Sequence, residues 1–141
     1  MSDKDWVGVE LDGTLATEVS YQDALGIGQP VAMMIKRVKW WLAEGKDVRI
    51  VTARVEGVTS PAVTAGIRDW CIRNIGKVLP IVSGIDTGTT ELWSARAVQV
   101  VKNTGRISSS ENLWRDQRMF DARAQDRKDR LAEMAARKAN K

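Results

Sequence analysis

The chain has 141 residues, 43% of them hydrophobic and 28% charged, with a net charge of +4, which suits one compact domain with an appendage and not a disordered chain. It contains no histidine and a single cysteine, Cys71, which removes Ser-His and Cys-His catalysis, the commonest zinc ligand and any internal disulfide. Carboxylates, hydroxyls and backbone amides are left to carry any chemistry, and so mild a positive charge reads as a solvated surface, so nucleic acid is not the expected partner.

Residues 6–11 form the first apolar strand, ending in Glu10-Leu11-Asp12-Gly13-Thr14. Alternate side chains of a strand share a side, so Glu10 and Asp12 can converge on one pocket just past the strand's end. After a loop with Gly26, Gly28 and Pro30, a helical pattern runs from about Val31 to Glu44 and stops at Gly45. Met34, Ile35, Val38, Trp41 and Leu42 make its core face; Met33 and Trp40 fall nearer the other side, where Trp40 is expected to be an ordinary packed aromatic.

A second strand, Asp47–Thr52, leads into Ala53-Arg54, and a second helix covers about Ala62 to Ile75, with Ile67, Trp70, Cys71 and Ile75 spaced for burial. Cys71 in that pattern reads as a buried thiol. Further strands are expected at 79–82, 90–93 and 97–101, before the turn residues Asn103-Thr104-Gly105. Strands alternating with helices predict an α/β fold, a mostly parallel five-stranded sheet with helices on both faces.

From about Ser108 the chain changes character. Residues 111–141 lack Gly and Pro and pair charges at i,i+4, as in Asp126/Arg130 and Glu133/Arg137. We expect an α/β core over 1–107 and a charged helix over 108–141. Its first half, around Trp114 and Phe120, is expected to pack on the core, with a protein partner or a second copy as the alternative cover for its apolar side. No N-terminal stretch has signal-peptide form and no apolar run is long enough to span a bilayer, so a cytoplasmic location without membrane contact is expected.

Three segments, Glu10-Leu11-Asp12-Gly13-Thr14, residues 47–54 and residues 91–101, resemble the haloacid dehalogenase-like phosphatases, in particular a small, nearly capless branch found among bacterial and phage sequences. The resemblance implies a Rossmann-like three-layer sandwich and a magnesium-dependent phosphohydrolase site. In active relatives the first motif reads Asp-x-Asp-Gly-Thr: the first aspartate attacks phosphorus and the second is the general acid and base. By this resemblance Glu10 stands at the nucleophile, Asp12 at the acid and base, and Gly13 and Thr14 in the turn whose amides could cradle an anion. Thr52 and Arg54 are the candidate phosphate-binding side chains.

Three of the family's roles are not matched. The extra methylene of Glu10 displaces the attacking oxygen by more than about 1 Å, which can cost about a hundredfold in rate. The charge-neutralising lysine falls near Ile85, with Lys77 and Lys102 as the substitutes to consider. The paired aspartates after the Leu-Trp of the fourth motif are Ser94 and Ala95. Magnesium would depend on Glu10, the Asp12 position with a backbone carbonyl near it, and water, with Asp86 or Glu91 as the residues to recruit, and is expected weak or absent. The combination predicts a phosphatase-like protein with little or no hydrolysis, serving as a binding or regulatory module for a phosphorylated ligand; a working hydrolase with rearranged metal ligands is the alternative.

Overall fold

The computed structural model describes residues 5–19, 25–57, 61–108 and 113–140, without the side chains of 113–120. The chain divides into two compact units, Met1–Arg96 and Ala97–Lys141.

In the first unit the strands are β1 (Trp6–Glu10), β2 (Asp47–Val51), β3 (Ile81–Val82) and β4 (Thr89–Trp93). They form an all-parallel sheet in the order β3-β2-β1-β4. β1 is central, and Trp6, Val7 and Val9 are buried, as the apolar run of a parallel strand covered on both faces requires. Helix α1 (Ala32–Ala43) joins β1 to β2, and α2 (Pro61–Asn74) joins β2 to β3. α1 stops where Gly45, at φ +80°, donates its amide to Leu42 and Lys46 donates to Trp41. A left-handed residue at that point is available to glycine at little cost.

Val7 and Val9, with Val48 and Ile50 opposite them, share one core with Met34, Ile35, Val38 and Trp41 of α1 and Ile67, Trp70 and Cys71 of α2. Both helices therefore lie on one face of the sheet. Right-handed crossovers stepping twice in the same direction, β1 to β2 to β3, demand this. Among the described residues the connection that reverses direction, from β3 to β4, is residues 83–88, too short for the dozen or more residues of a helical crossover.

The expectation of helices on both faces is thus corrected within this unit. The second face is covered by the Trp6 ring, with the Arg49 guanidinium 4.7 Å over it and Asp86 accepting from Trp6 Nε1 at 2.7 Å. Arg49 also pairs with Asp47 at 2.9 Å, and this pair, with Asp86 nearby, raises the guanidinium's pKa. Trp40 is a further correction: it is exposed, whereas its neighbour Trp41 packs against Trp93 with ring centroids 5.2 Å apart.

The loop before α1 is pinned at its neck. Thr17 donates its amide to Gln29, Gln29 donates to Thr17 Oγ1, and Trp70 Nε1 donates to the Gly28 carbonyl. A Cβ at position 28 would lie 1.9 Å from the Thr17 carbonyl oxygen, so only glycine fits.

In the second unit the expected strand 97–101 does not join the sheet among the described residues. Val100 instead bridges antiparallel to Ile107 around the Asn103-Thr104-Gly105 turn, with Val101 donating to Arg106 at 2.7 Å. An apolar run followed at once by turn residues can satisfy its amides locally. α3 (Leu113–Ala139) follows, and its residues 121–139 are exposed. The expected packing of Trp114 and Phe120 falls outside the described side chains. Among the described residues no helix is long and apolar enough to cross a membrane.

Candidate functional site

The registers align Glu10 with Val51 and Val9 with Trp93, so β1, β2 and β4 end at a common level and their following loops meet there. Open α/β sheets place ligands at this carboxyl edge. After β1, the buried Leu11, Leu15 and Ala16 anchor a tight turn with Gly13 at φ +84°. Gly13 donates its amide to Ala16 at 2.8 Å and Thr14 to Leu11 at 3.4 Å. After β2, the buried Thr52 accepts the Arg54 amide at Oγ1, 3.2 Å away, and so caps the short turn Ala53–Val55.

Glu10 ends β1 at this edge and Asp12 follows it in the turn, each facing an arginine. Arg54 Nε donates to Asp12 Oδ2 at 2.8 Å and Arg54 Nη2 to Oδ1 at 2.9 Å, a two-pronged pair in which the side chains are 17% and 20% exposed. Ser94 Oγ donates to Glu10 Oε2 at 2.7 Å. Arg96 Nε lies 3.3 Å from Glu10 Oε1, within ion-pair range but without hydrogen-bond alignment, so this buried oxygen accepts no hydrogen bond. The loop after β4 is fixed by two further bonds: Ala95 donates its amide to Thr14 Oγ1 at 3.0 Å, and Arg96 donates its amide to Ser94 Oγ at 3.1 Å.

Of the expected site residues, Glu10, Asp12, Gly13, Thr14, Thr52, Arg54, Ser94 and Ala95 all fall at this edge. Asp86 and Ile85 do not, which corrects the expectation that Asp86 could be recruited to a metal. Asp86 Oδ1 accepts from Trp6 Nε1 and from the Gly88 amide, at the far end of β1, roughly 13 Å of strand away from Glu10. Trp6 first, then Gly88 and the nearby Arg49, hold the Asp86 carboxyl below the usual carboxylate range. Ile85 is exposed beside it. Glu91 accepts from Trp93 Nε1 at 2.8 Å.

Lys77 lines a cleft of about 760 Å³ at the opposite, amino-terminal edge of the sheet, with Asp5, Trp6, Lys46, Asp47 and Pro80 among the other walls. No residue of the carboxyl-edge site lines it. Cys71 is buried, and burial pushes its thiol pKa up, against a smaller opposing effect of the Leu79 backbone, which makes it an inert core thiol.

The residue the sequence reasoning missed is Arg96. Its signal was a second arginine three residues past a strand end, Trp93, as Arg54 is three past Val51. Among the described residues no group of three or more His, Cys, Asp or Glu side chains could hold a metal ion.

No protein-family model matches the chain, and no curated protein matches it. Among solved structures it is similar to a conserved protein from Bacteroides thetaiotaomicron, at 15% identity and a TM-score of 0.47, over 71% of this chain and 83% of that one. A likeness so remote carries no inference about function.

Proposed function

We propose that the chain is a haloacid dehalogenase-like phosphatase fold whose site has lost phosphomonoester hydrolysis and acts as a binding or regulatory module. The motif Asp12-Gly13-Thr14 at the end of a central parallel strand supports the kinship, as does Thr52 at the end of its neighbour. The observation that carries the loss of activity is the pair Arg54–Asp12. Both oxygens of the expected acid and base accept from one guanidinium, so neither is placed to exchange a proton with a leaving group.

The other roles fare no better. Phosphoryl transfer rests on positioning and on neutralising charge around phosphorus. Ser94 and Ala95 offer no carboxylate, and the segment of Ile85, where the family's lysine was expected, lies by Trp6 and away from this edge. A magnesium ion takes near-octahedral oxygen donors at about 2.0–2.1 Å. Here the two candidate carboxylates each face an arginine, a donor set that does not suit the ion. A phosphorylated ligand would have to draw Arg54 away from Asp12, and the Gly13 and Thr14 amides away from the turn they close.

The test is hydrolysis of p-nitrophenyl phosphate by the full chain with millimolar magnesium. Turnover at the level of the Asp12→Asn variant is expected. Robust turnover that Asp12→Asn abolishes would overturn the proposal and favour a hydrolase with rearranged ligands.

A second reading places the interaction on α3, favoured by the exposed Leu131 and Met134 on its surface. Deleting residues 123–141 should then reduce association of the chain with itself or a partner; unchanged sedimentation and partner capture would remove this reading.

A further inference from the structure

We propose that Arg54 and Arg96 take the place of a divalent cation at the carboxyl edge, supplying its two positive charges and tying the strand ends together without metal. The inference uses the same site as the proposed loss of hydrolysis but does not depend on that loss.

Charge is the first support. Glu10 and Asp12 bring two negative charges to the edge, and one guanidinium lies against each, at 2.8 Å for Arg54–Asp12 and 3.3 Å for Arg96–Glu10. Among the described residues the two carboxylates and the two guanidiniums match in charge. A dipositive ion added between the carboxylates would leave an excess of two positive charges, screened little at Arg54, Asp12 and Glu10, which are about one-fifth exposed, and more at Arg96, which is 64% exposed.

Coordination is the second. Both Asp12 oxygens already accept nitrogen donors, and Glu10 Oε2 accepts from Ser94. Among the described residues Glu10 Oε1 alone of these four oxygens is without a hydrogen bond, and Arg96 Nε lies 3.3 Å from it. An ion would gain one unengaged oxygen and would have to displace Arg54 to reach a second carboxylate.

Connectivity is the third. Arg54 sits in the loop after β2 and Arg96 in the loop after β4, while both carboxylates follow or end β1. The two pairs therefore join three strand ends, with the Thr14–Ala95 bond beside them. A shared metal ion would make the same three-way link. Planar guanidinium forks match carboxylate geometry and need no particular metal supply.

The experiment is magnesium titration of the EDTA-treated full chain, read by calorimetry and by the thermal unfolding midpoint. The proteins are the wild type, Arg54→Gln, Arg96→Gln and Arg54→Gln/Asp12→Asn. The wild-type midpoint should be the same in EDTA and in millimolar magnesium. Arg54→Gln should unfold at lower temperature, recover part of the loss with magnesium, and bind the ion at least about tenfold more tightly than wild type, because a like charge has gone from contact range. Adding Asp12→Asn should abolish that gain.

A wild type that magnesium stabilises as strongly as Arg54→Gln would overturn the inference, as would variants with no gain in affinity. Should Arg54→Gln fail to fold, Arg96→Gln must show the gain alone or the inference fails; Arg96 is 64% exposed, so this variant is expected to fold. A wild type that binds magnesium yet hydrolyses nothing overturns this inference and leaves the proposed function standing, whereas magnesium-dependent hydrolysis overturns both.

Discussion

The Arg54–Asp12 pair can be measured directly by a double-mutant cycle of Arg54→Ala, Asp12→Ala and both together. At an effective dielectric of about 20, unit charges about 4 Å apart attract by about 4 kcal/mol. The pair has two bonds of 2.8 and 2.9 Å and side chains only 17% and 20% exposed, so it lies between a surface ion pair, about 0.2–1 kcal/mol, and a buried one, where losing a partner costs about 3–5 kcal/mol. The cycle cancels each side chain's own desolvation and ordering, and screening at a partly exposed site cuts the attraction to a coupling of about 2 kcal/mol. Arg54→Ala should cost more than Asp12→Ala, since it strands a carboxylate at the strand end. The assay is urea unfolding of the four proteins at neutral pH. A coupling below about 0.5 kcal/mol would refute the placement of Arg54 on Asp12, because groups in contact couple by at least that much.

Three other outcomes test the fold beneath the site. Gly28→Ala forces a Cβ to 1.9 Å from the Thr17 backbone oxygen, and urea unfolding should show a loss of about 3 kcal/mol or more, because backbone on both sides cannot yield as a side chain would. Ile50→Ala empties a fully buried position on β2 and should cost about 2–5 kcal/mol by the same measurement. The Asp86 carboxyl is held below its ordinary value by Trp6, so its stabilisation is complete above the usual carboxylate range and is lost as pH falls through the lowered value. Thermal midpoints should therefore drop as pH falls below about 4, and less steeply in Asp86→Asn, which keeps an acceptor for Trp6 but carries no charge; equal slopes would refute the assignment.

How far the sequence was legible depended on the range of the interaction concerned. β1, β2, α1 and α2 follow from hydrophobic period alone, because burial on one helical stripe or along a central strand is written into neighbouring residues. Residues 97–101 failed that test: an apolar run that serves as a sheet strand serves equally as a hairpin arm, and the turn residues just after it decided the matter. Trp40 and Trp41 show the same limit at finer scale. Adjacent tryptophans differ by about 100° around the helix, and the core face centred on Val38 takes Trp41 and leaves Trp40 in solvent. At the site, Glu10 and Asp12 were legible because a strand's alternation brings them together locally. Arg54 lies 42 residues from Asp12, and Arg96 further still from Glu10, so nothing local pairs them.

The topology supplies the physical reason why the counter-charge comes from arginines in strand-end loops and not from the segment after β3. That segment, residues 83–88, must carry the chain from the end of β3 across β2 and β1 to the start of β4, and it runs over the face that bears Trp6. The Gly88 carbonyl accepts the Trp6 amide and Thr90 Oγ1 donates to the Trp6 carbonyl, which commits the connector's end to the start of β1. A charged side chain at Ile85 would thus stand beside Asp86, near Trp6, and would not reach Glu10 or Asp12. With that route closed by a short connector, the loops that begin where β2 and β4 end are the ones that can bring a cation to the carboxylates, and each contributes one arginine.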